Sequence, residues 1–180
     1  MQLSTQTERL GVRLIQRDDA QAMRDYYDRN RAHLEQWEPQ REASFYTHDH
    51  WQASIEEALT RIDQDLGYQF VAEKGGVLIG GCNLSNVVRG IFQACNLGYS
   101  IDERFEGQGL AREMVAAVVG IAFDELHLHR LMANYIPTNE RSGKLLASLG
   151  FEREGLARDY LYITGRWQDH VLTAKLNPAT

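Results

Sequence analysis

Residues 105–111 read FEGQGLA and lead straight into AREMVAAVVGIAF, where Leu110, Met114, Val118 and Ile121 recur at helical spacing. A loop with glycines at 107 and 109 that ends in a helix start leaves backbone N–H groups uncommitted at the positive end of the helix dipole. Such a loop is a cradle for phosphate. Glu106 sits awkwardly in it, because a carboxylate beside an anion site is repulsive, so its side chain is expected to point to solvent. The following residues narrow the kind of loop. A P-loop places Lys and then Ser or Thr after its last glycine, whereas Leu110, Ala111 and Arg112 follow here. A dinucleotide fingerprint asks for a small residue where Arg112 stands, and for a βαβ opening that the preceding strands do not supply.

Upstream of the loop the pattern is that of strands. Residues 68–73, 77–84 and 91–101 are rich in β-formers, and Lys74, Gly75 and Gly76 between the first two signal a hairpin. Nearer the start, a short strand is expected at 9–15, then a helix behind Asp18 and Asp19 carrying Ala22, Met23, Tyr26 and Tyr27. A helical piece at 32–37 stops before Pro39, and Trp51, Ile55, Ala58, Leu59 and Ile62 make one stripe of a helix at 50–66. Downstream the pattern predicts a helix at 107–125, a strand at 130–135, a helix at 139–149 and strands at 151–163 and 166–176. Interleaved helices around a central meander imply an α/β (α+β) fold with a mixed, mostly antiparallel sheet flanked by helices.

Composition sets the wider bounds. The chain has 180 residues, 43% of them hydrophobic, with three prolines and no repeat or low-complexity linker, so one domain over 1–180 is expected. A net charge of −6 argues against nucleic-acid binding and suits a basic or amine-bearing partner. Cys82 and Cys95 lie in β-like runs and read as small buried hydrophobes in a reducing compartment. No apolar run is long enough to span a bilayer, and MQLSTQTERLG lacks a signal-peptide pattern. A cytoplasmic protein without membrane association is therefore expected. His127 and His129 are spaced like a ligand pair, but no further ligand cluster accompanies them, so no metal is expected.

The run GYSIDERFEGQGLA, residues 98–111, resembles the strand, turn and pyrophosphate loop of the GNAT acyltransferases. That loop pattern runs Gln or Arg, two residues, Gly, one residue, then Gly or Ala. Begun at Glu106 it places Gly109 and Ala111 at the small positions, with Glu in place of Gln or Arg; begun at Arg104 it sits two residues early relative to the strand. The Glu106 register is preferred, since backbone amides do most of the binding. NERSGKLLASLGF, residues 139–151, is similar to the superfamily's second coenzyme-binding helix. Further segments, WEP at 37–39, LSNVVRG at 84–90, RLMANYIPTNERSG at 130–143 and DYLYITGRWQDHVLTA at 159–174, extend the resemblance over nearly the whole chain to bacterial ribosomal-protein-alanine N-acetyltransferases of the Rim type.

The resemblance implies a GNAT-like fold and transfer of acetyl from acetyl-CoA directly to the α-amine of a protein N-terminus, such as the alanine of ribosomal protein S5. Acceptors of the same machinery also include other proteins and small-molecule amines, and a ribosome-assembly factor that binds acyl-CoA is the reading from a different class. The diphosphate is expected on the amides of Glu106, Gly107, Gln108, Gly109, Leu110, Ala111 and Arg112. The pantetheine is expected along Leu97, Gly98, Tyr99, Ser100 and Ile101, with an amide of Tyr99 or Ser100 facing the thioester oxygen, and Asn139 is expected to act both as helix cap and as the opposite wall. By resemblance, Glu103 is the general base, directly or through a water, and Ser142 the group facing the leaving sulfur, because Leu146 stands where many relatives carry a tyrosine acid. Trp37, Glu38 and Tyr160 are assigned to the acceptor cleft, again by resemblance; Tyr68, Tyr135 and Trp167 read as core or cleft-wall aromatics, and His170 as a strand-end hydrogen-bonding residue.

Overall fold

The hairpin predicted at 74–76 is a two-residue turn. Gly75 and Gly76 have φ of 58° and 77°, values open to glycine without cost, and their twist suits antiparallel strands. In the computed structural model, which describes residues 3–179, this turn joins β3 (Gly67–Lys74) to β4 (Val77–Val88), with Lys74 opposite Val77. The other elements are β1 (Ser4–Gln6), β2 (Gly11–Leu14), α1 (Ala20–Arg29), α2 (Arg31–Leu34), α3 (His48–Asp63), β5 (Ala94–Ile101), α4 (Leu110–Gly120), β6 (Arg130–Met132), α5 (Glu140–Ser148), β7 (Glu152–Ile163) and β8 (Arg166–Leu176).

Among the described residues the strands form one eight-stranded sheet in the order β1-β2-β3-β4-β5-β6-β8-β7. All neighbours are antiparallel except β5 and β6, which α4 joins by a crossover, as a parallel pair requires. Alternation along β3 divides the core between the two faces. Phe70 and Ala72 face a cluster with Leu110, Met114, Val118 and Leu146 of α4 and α5, while Val71 faces Met23, Tyr26, Trp51 and Ile55 of α1 and α3. The stripe predicted for the 107–125 helix is buried as expected, with Leu110, Met114, Val118 and Ile121 all below 5% exposure.

Several boundaries differ from the sequence pattern. β5 begins at Ala94 because Gly90 (φ 72°) and Gln93 (φ 46°) turn the chain before it, and β4 runs on to Val88. α4 begins at Leu110, and its continuation at Ile121–Glu125 widens into a π turn. β6 stops at Met132, leaving Tyr135 as an isolated bridge to Val171. β1 and a 3₁₀ turn at Ala43–Tyr46 have no counterpart in the predicted elements.

Candidate active site

β5 is paired along its length by β4, but β6 accompanies it only through Ala94, Cys95 and Asn96. Beyond Met132 the chain follows β8 instead, with the Ala133 N–H donating to the Thr173 carbonyl and Tyr135 bridging Val171. The two strands therefore splay, and residues 97–101 present an edge without a strand partner among the described residues. Such an edge accepts an extended ligand through its backbone groups. The splay opens a cleft of about 700 Å³, lined on this side by Leu97, Gly98, Tyr99, Ser100 and Ile101.

At one end lies the glycine loop. Gly107 (φ 69°) and Gly109 (φ 76°) are left-handed, a conformation costly for residues with a Cβ. The first backbone bond into α4 runs from the Glu113 N–H to the Gly109 carbonyl, so the N–H groups of Leu110, Ala111 and Arg112 stand open at the helix N-terminus. Arg9 supports the loop from behind: its guanidinium donates to the Gln108 carbonyl at 2.8 Å and pairs with Glu113 at 2.6 Å. Gln108 itself does not line the cleft; its side-chain amide donates to the Arg104 carbonyl at 3.0 Å.

Glu106 departs from its expected outward orientation. Its carboxylate pairs with Arg141 in the first turn of α5 and lies 3.1 Å from His33 Nε2 of α2, leaving the side chain 21% exposed. The guanidinium of Arg141 offsets the carboxylate, so the cradle does not face a bare negative charge. His33 and Arg141 lie 73 and 35 residues away along the chain from Glu106, where local patterning carries no trace of them.

The turn after β5 is fastened to the end of α1. Asp102, 0% exposed, accepts from Arg29 at 2.7 Å and from Arg104 at 2.8 Å. The Glu103 N–H donates to the Asn30 side chain at 3.0 Å, which sets the exposed Glu103 side chain at the cleft margin. α2 and the residues behind it bring Trp37 and Glu38 to the same cleft, both half-buried. Burial pushes the Glu38 carboxyl above the usual carboxylate range, against the pull of Arg41 at 3.4 Å.

On the opposite wall, Asn139 caps α5 by accepting from the Ser142 N–H at 3.1 Å, the capping role expected of it. Ser142 Oγ is 2.8 Å from the Tyr99 hydroxyl, a contact between α5 and β5 that the sequence pattern did not indicate. Leu146 is 1% exposed. Tyr160 does not line the cleft; it is exposed, its ring 5.3 Å from that of His170 and its hydroxyl 3.4 Å from Asn134, both of which do. His170 lies within β8 rather than at its end, buried in the cleft wall with Nδ1 3.1 Å from the Gln168 carbonyl. His127 and His129 fall outside the cleft, in the turn before β6.

The cleft thus joins the stretch of β5 beyond its pairing with β6 to a glycine cradle at its end. The family model for the acetyltransferase (GNAT) domain matches residues 9–152. The chain belongs to the GNAT acetyltransferases. Among curated relatives of this acetyltransferase, the [ribosomal protein uS5]-alanine N-acetyltransferase of Escherichia coli K12 is 47% identical, covering 96% of this chain and 90% of its own length. A crystal structure of ribosomal-protein-S5-alanine acetyltransferase from Vibrio fischeri superposes with a TM-score of 0.94 at 41% identity, over 97% of both chains. Mycobacterium smegmatis RimJ, in complex with a coenzyme A disulfide, superposes with a TM-score of 0.89 at 29% identity, over 93% of this chain and 81% of its own. The GNAT cleft of the present chain suits such a ligand: its glycine cradle offers open amides, and open space stands where a Cβ would project from Gly98 and Gly107.

Proposed function

We propose that this acyltransferase moves the acetyl group of acetyl-coenzyme A to the α-amine of a protein N-terminus, the alanine that begins ribosomal protein uS5. The observation that carries this reading is the 47% identity to the E. coli uS5-alanine enzyme over 96% of the chain. The coenzyme supplies an activated thioester. The open amides of Leu110, Ala111 and Arg112 hold its diphosphate, and the free edge at 97–101 pairs with its pantetheine arm, an amide of Tyr99 or Ser100 facing the carbonyl oxygen as charge develops there. Asn139 forms the far wall.

An α-amine has a pKa of about 8, against roughly 10.4 for lysine, so near neutral pH it is neutral far more often and needs modest base assistance. Glu103 is the base of this reading, with a water as carrier, and Ser142 faces the leaving sulfur. Trp37 and Glu38 form the acceptor end of the cleft, and Tyr160 shapes it through His170 and Asn134. No acyl-enzyme is formed: the amine attacks the thioester directly.

The acceptor is tested by incubating the protein with acetyl-coenzyme A and peptides matching the uS5 N-terminus, and following release of free thiol. Release is expected only with an unblocked α-amine. Equal rates on an N-terminally blocked, lysine-bearing peptide would refute α-amine selectivity, and turnover confined to a small polyamine would move the reading to small-molecule acceptors.

The cradle has its own test. Gly109→Val places a β-branched residue at φ 76°, at a cost of about 1–2 kcal/mol or more in that conformation. Acetyl-coenzyme A binding is expected to weaken about tenfold by calorimetry, while helix content by circular dichroism stays unchanged. Unaltered affinity would show that the loop amides do not carry the diphosphate.

A further inference from the structure

We infer that Tyr99 positions the Ser142 hydroxyl as the hydrogen-bond donor to the leaving sulfur, so that the phenol missing from α5 is supplied indirectly by β5. The inference rests on the acetyl-transfer reading above and assigns Tyr99 a side-chain role in addition to its backbone one.

Three observations fix the geometry. First, the two hydroxyl oxygens are 2.8 Å apart and join the free-edge strand to the first turn of α5, at the level of the cleft. Second, Ser142 is held in place by its surroundings. Its N–H is taken by the Asn139 side chain at 3.1 Å, and the Tyr135 ring occupies the position where a Cβ at the adjacent Gly143 would fall, 2.8 Å away. A residue larger than glycine at 143 would force α5 or that ring to shift. Third, Leu146 is turned into the core at 1% exposure and carries no polar group.

Either hydroxyl is able to donate in the Tyr99–Ser142 contact, and in this proposal Tyr99 does. A phenol is a better donor than an aliphatic hydroxyl, and burial pushes the Tyr99 hydroxyl up to about 12, so it keeps its proton through the neutral range. With Tyr99 donating to Ser142 Oγ, the serine's own hydrogen is left to point into the cleft. In the transfer step the amine nitrogen bonds to the carbonyl carbon and the C–S bond breaks with its electron pair on sulfur. The surplus proton on nitrogen passes to the general base and on to solvent. The Ser142 hydrogen bond stabilises the thiolate until it takes up a proton from solvent or departs. Tyr99 touches neither the amine nor the carbonyl in this scheme; it acts through Ser142 and is a positioning residue.

The test is a double-mutant cycle of Tyr99→Phe, Ser142→Ala and the pair, read as kcat and KM for acetyl-coenzyme A with the uS5 peptide, beside melting temperatures. Each single change is expected to lower kcat about tenfold with KM for the coenzyme within twofold, and the double variant to be no slower than Ser142→Ala alone, because residues acting as one unit are not additive. Tyr99→Phe removes one oxygen and leaves the ring packed. An unchanged kcat in Tyr99→Phe, losses that multiply in the double variant, or a loss seen only in melting temperature or KM would overturn the inference. The unaltered protein in the same assay separates the two levels: if it is inactive on every amine, the acetyl-transfer reading itself fails; if it is active, only the role of Tyr99 is at stake.

Discussion

Glu103→Gln is expected to lower kcat about a hundredfold, at the lower end of what a positioned general base contributes, because in the proposed mechanism the proton travels through a water. Coenzyme affinity should stay within twofold. The tie that sets the turn, from the Glu103 N–H to Asn30, belongs to the backbone and survives the change, and the glycine cradle begins beyond it. Steady-state kinetics with the uS5 peptide and calorimetry with acetyl-coenzyme A measure the two quantities. Glu38→Gln is the paired control. Its carboxyl is half-buried in the cleft, at the acceptor end proposed above, and raised by burial, so its loss is expected to raise the peptide KM about tenfold with kcat changed less than threefold. A hundredfold fall in kcat for Glu38→Gln, with Glu103→Gln close to the parent, would transfer the role of base to the Glu38 carboxylate.

Asp102→Ala is expected to cost about 3 kcal/mol, the low end for breaking a buried ion pair, since Arg29 and Arg104 both reach solvent and regain part of their hydration. At this chain length that corresponds to a fall of roughly 6–12 °C in melting temperature. The acid dependence has a definite sign. Burial would raise the Asp102 carboxyl, but hydrogen bonds from Arg104 and Arg29 outweigh it and hold the group well below the usual carboxylate range. The unfolded chain then takes up this proton near pH 4 while the folded chain still resists it. The stability that Asp102 contributes is thus complete above about pH 4 and lost as pH falls further. The gap in unfolding free energy between parent and Asp102→Ala should be constant from pH 5 to 7 and shrink below pH 4; a gap independent of pH down to 2 would show that the charge of Asp102 is not what holds the turn.

Both predictions concern a turn whose chemistry was only partly legible along the chain. A resemblance points to Glu103, whereas Asp102, one residue earlier, carries no signal of burial: a polar Asp-Glu-Arg run reads as a solvated turn. The end of α1, 73 residues upstream, brings Arg29 to the Asp102 carboxylate and Asn30 to the next backbone N–H. Ile91 is the reverse case. Its β-branched side chain read as the start of a strand, yet it stands fully exposed in a turn, because positive φ at Gly90 and Gln93 breaks the extended run that propensity alone favoured. β1 is silent in the sequence for a related reason: Ser4–Gln6 has no apolar alternation, and its register comes from pairing with β2.

By itself the sequence determined the local devices. Glycines at 107 and 109 allow left-handed turns, the stripe at 110, 114 and 118 commits α4 to the core, Gly75–Gly76 closes the β3–β4 hairpin, and Asn139 caps α5. Each depends on backbone sterics or on side chains a few residues apart, interactions that every copy of these segments carries wherever it sits. Only the tertiary structure decided where β5 and β6 part, that Glu106 pairs with Arg141 and His33 instead of facing water, and that the Tyr99 hydroxyl meets Ser142 across the cleft. Those outcomes join groups from 35 to 73 residues apart along the chain, and the partner of a charge or hydroxyl at such range is chosen by the packing of whole helices on the sheet.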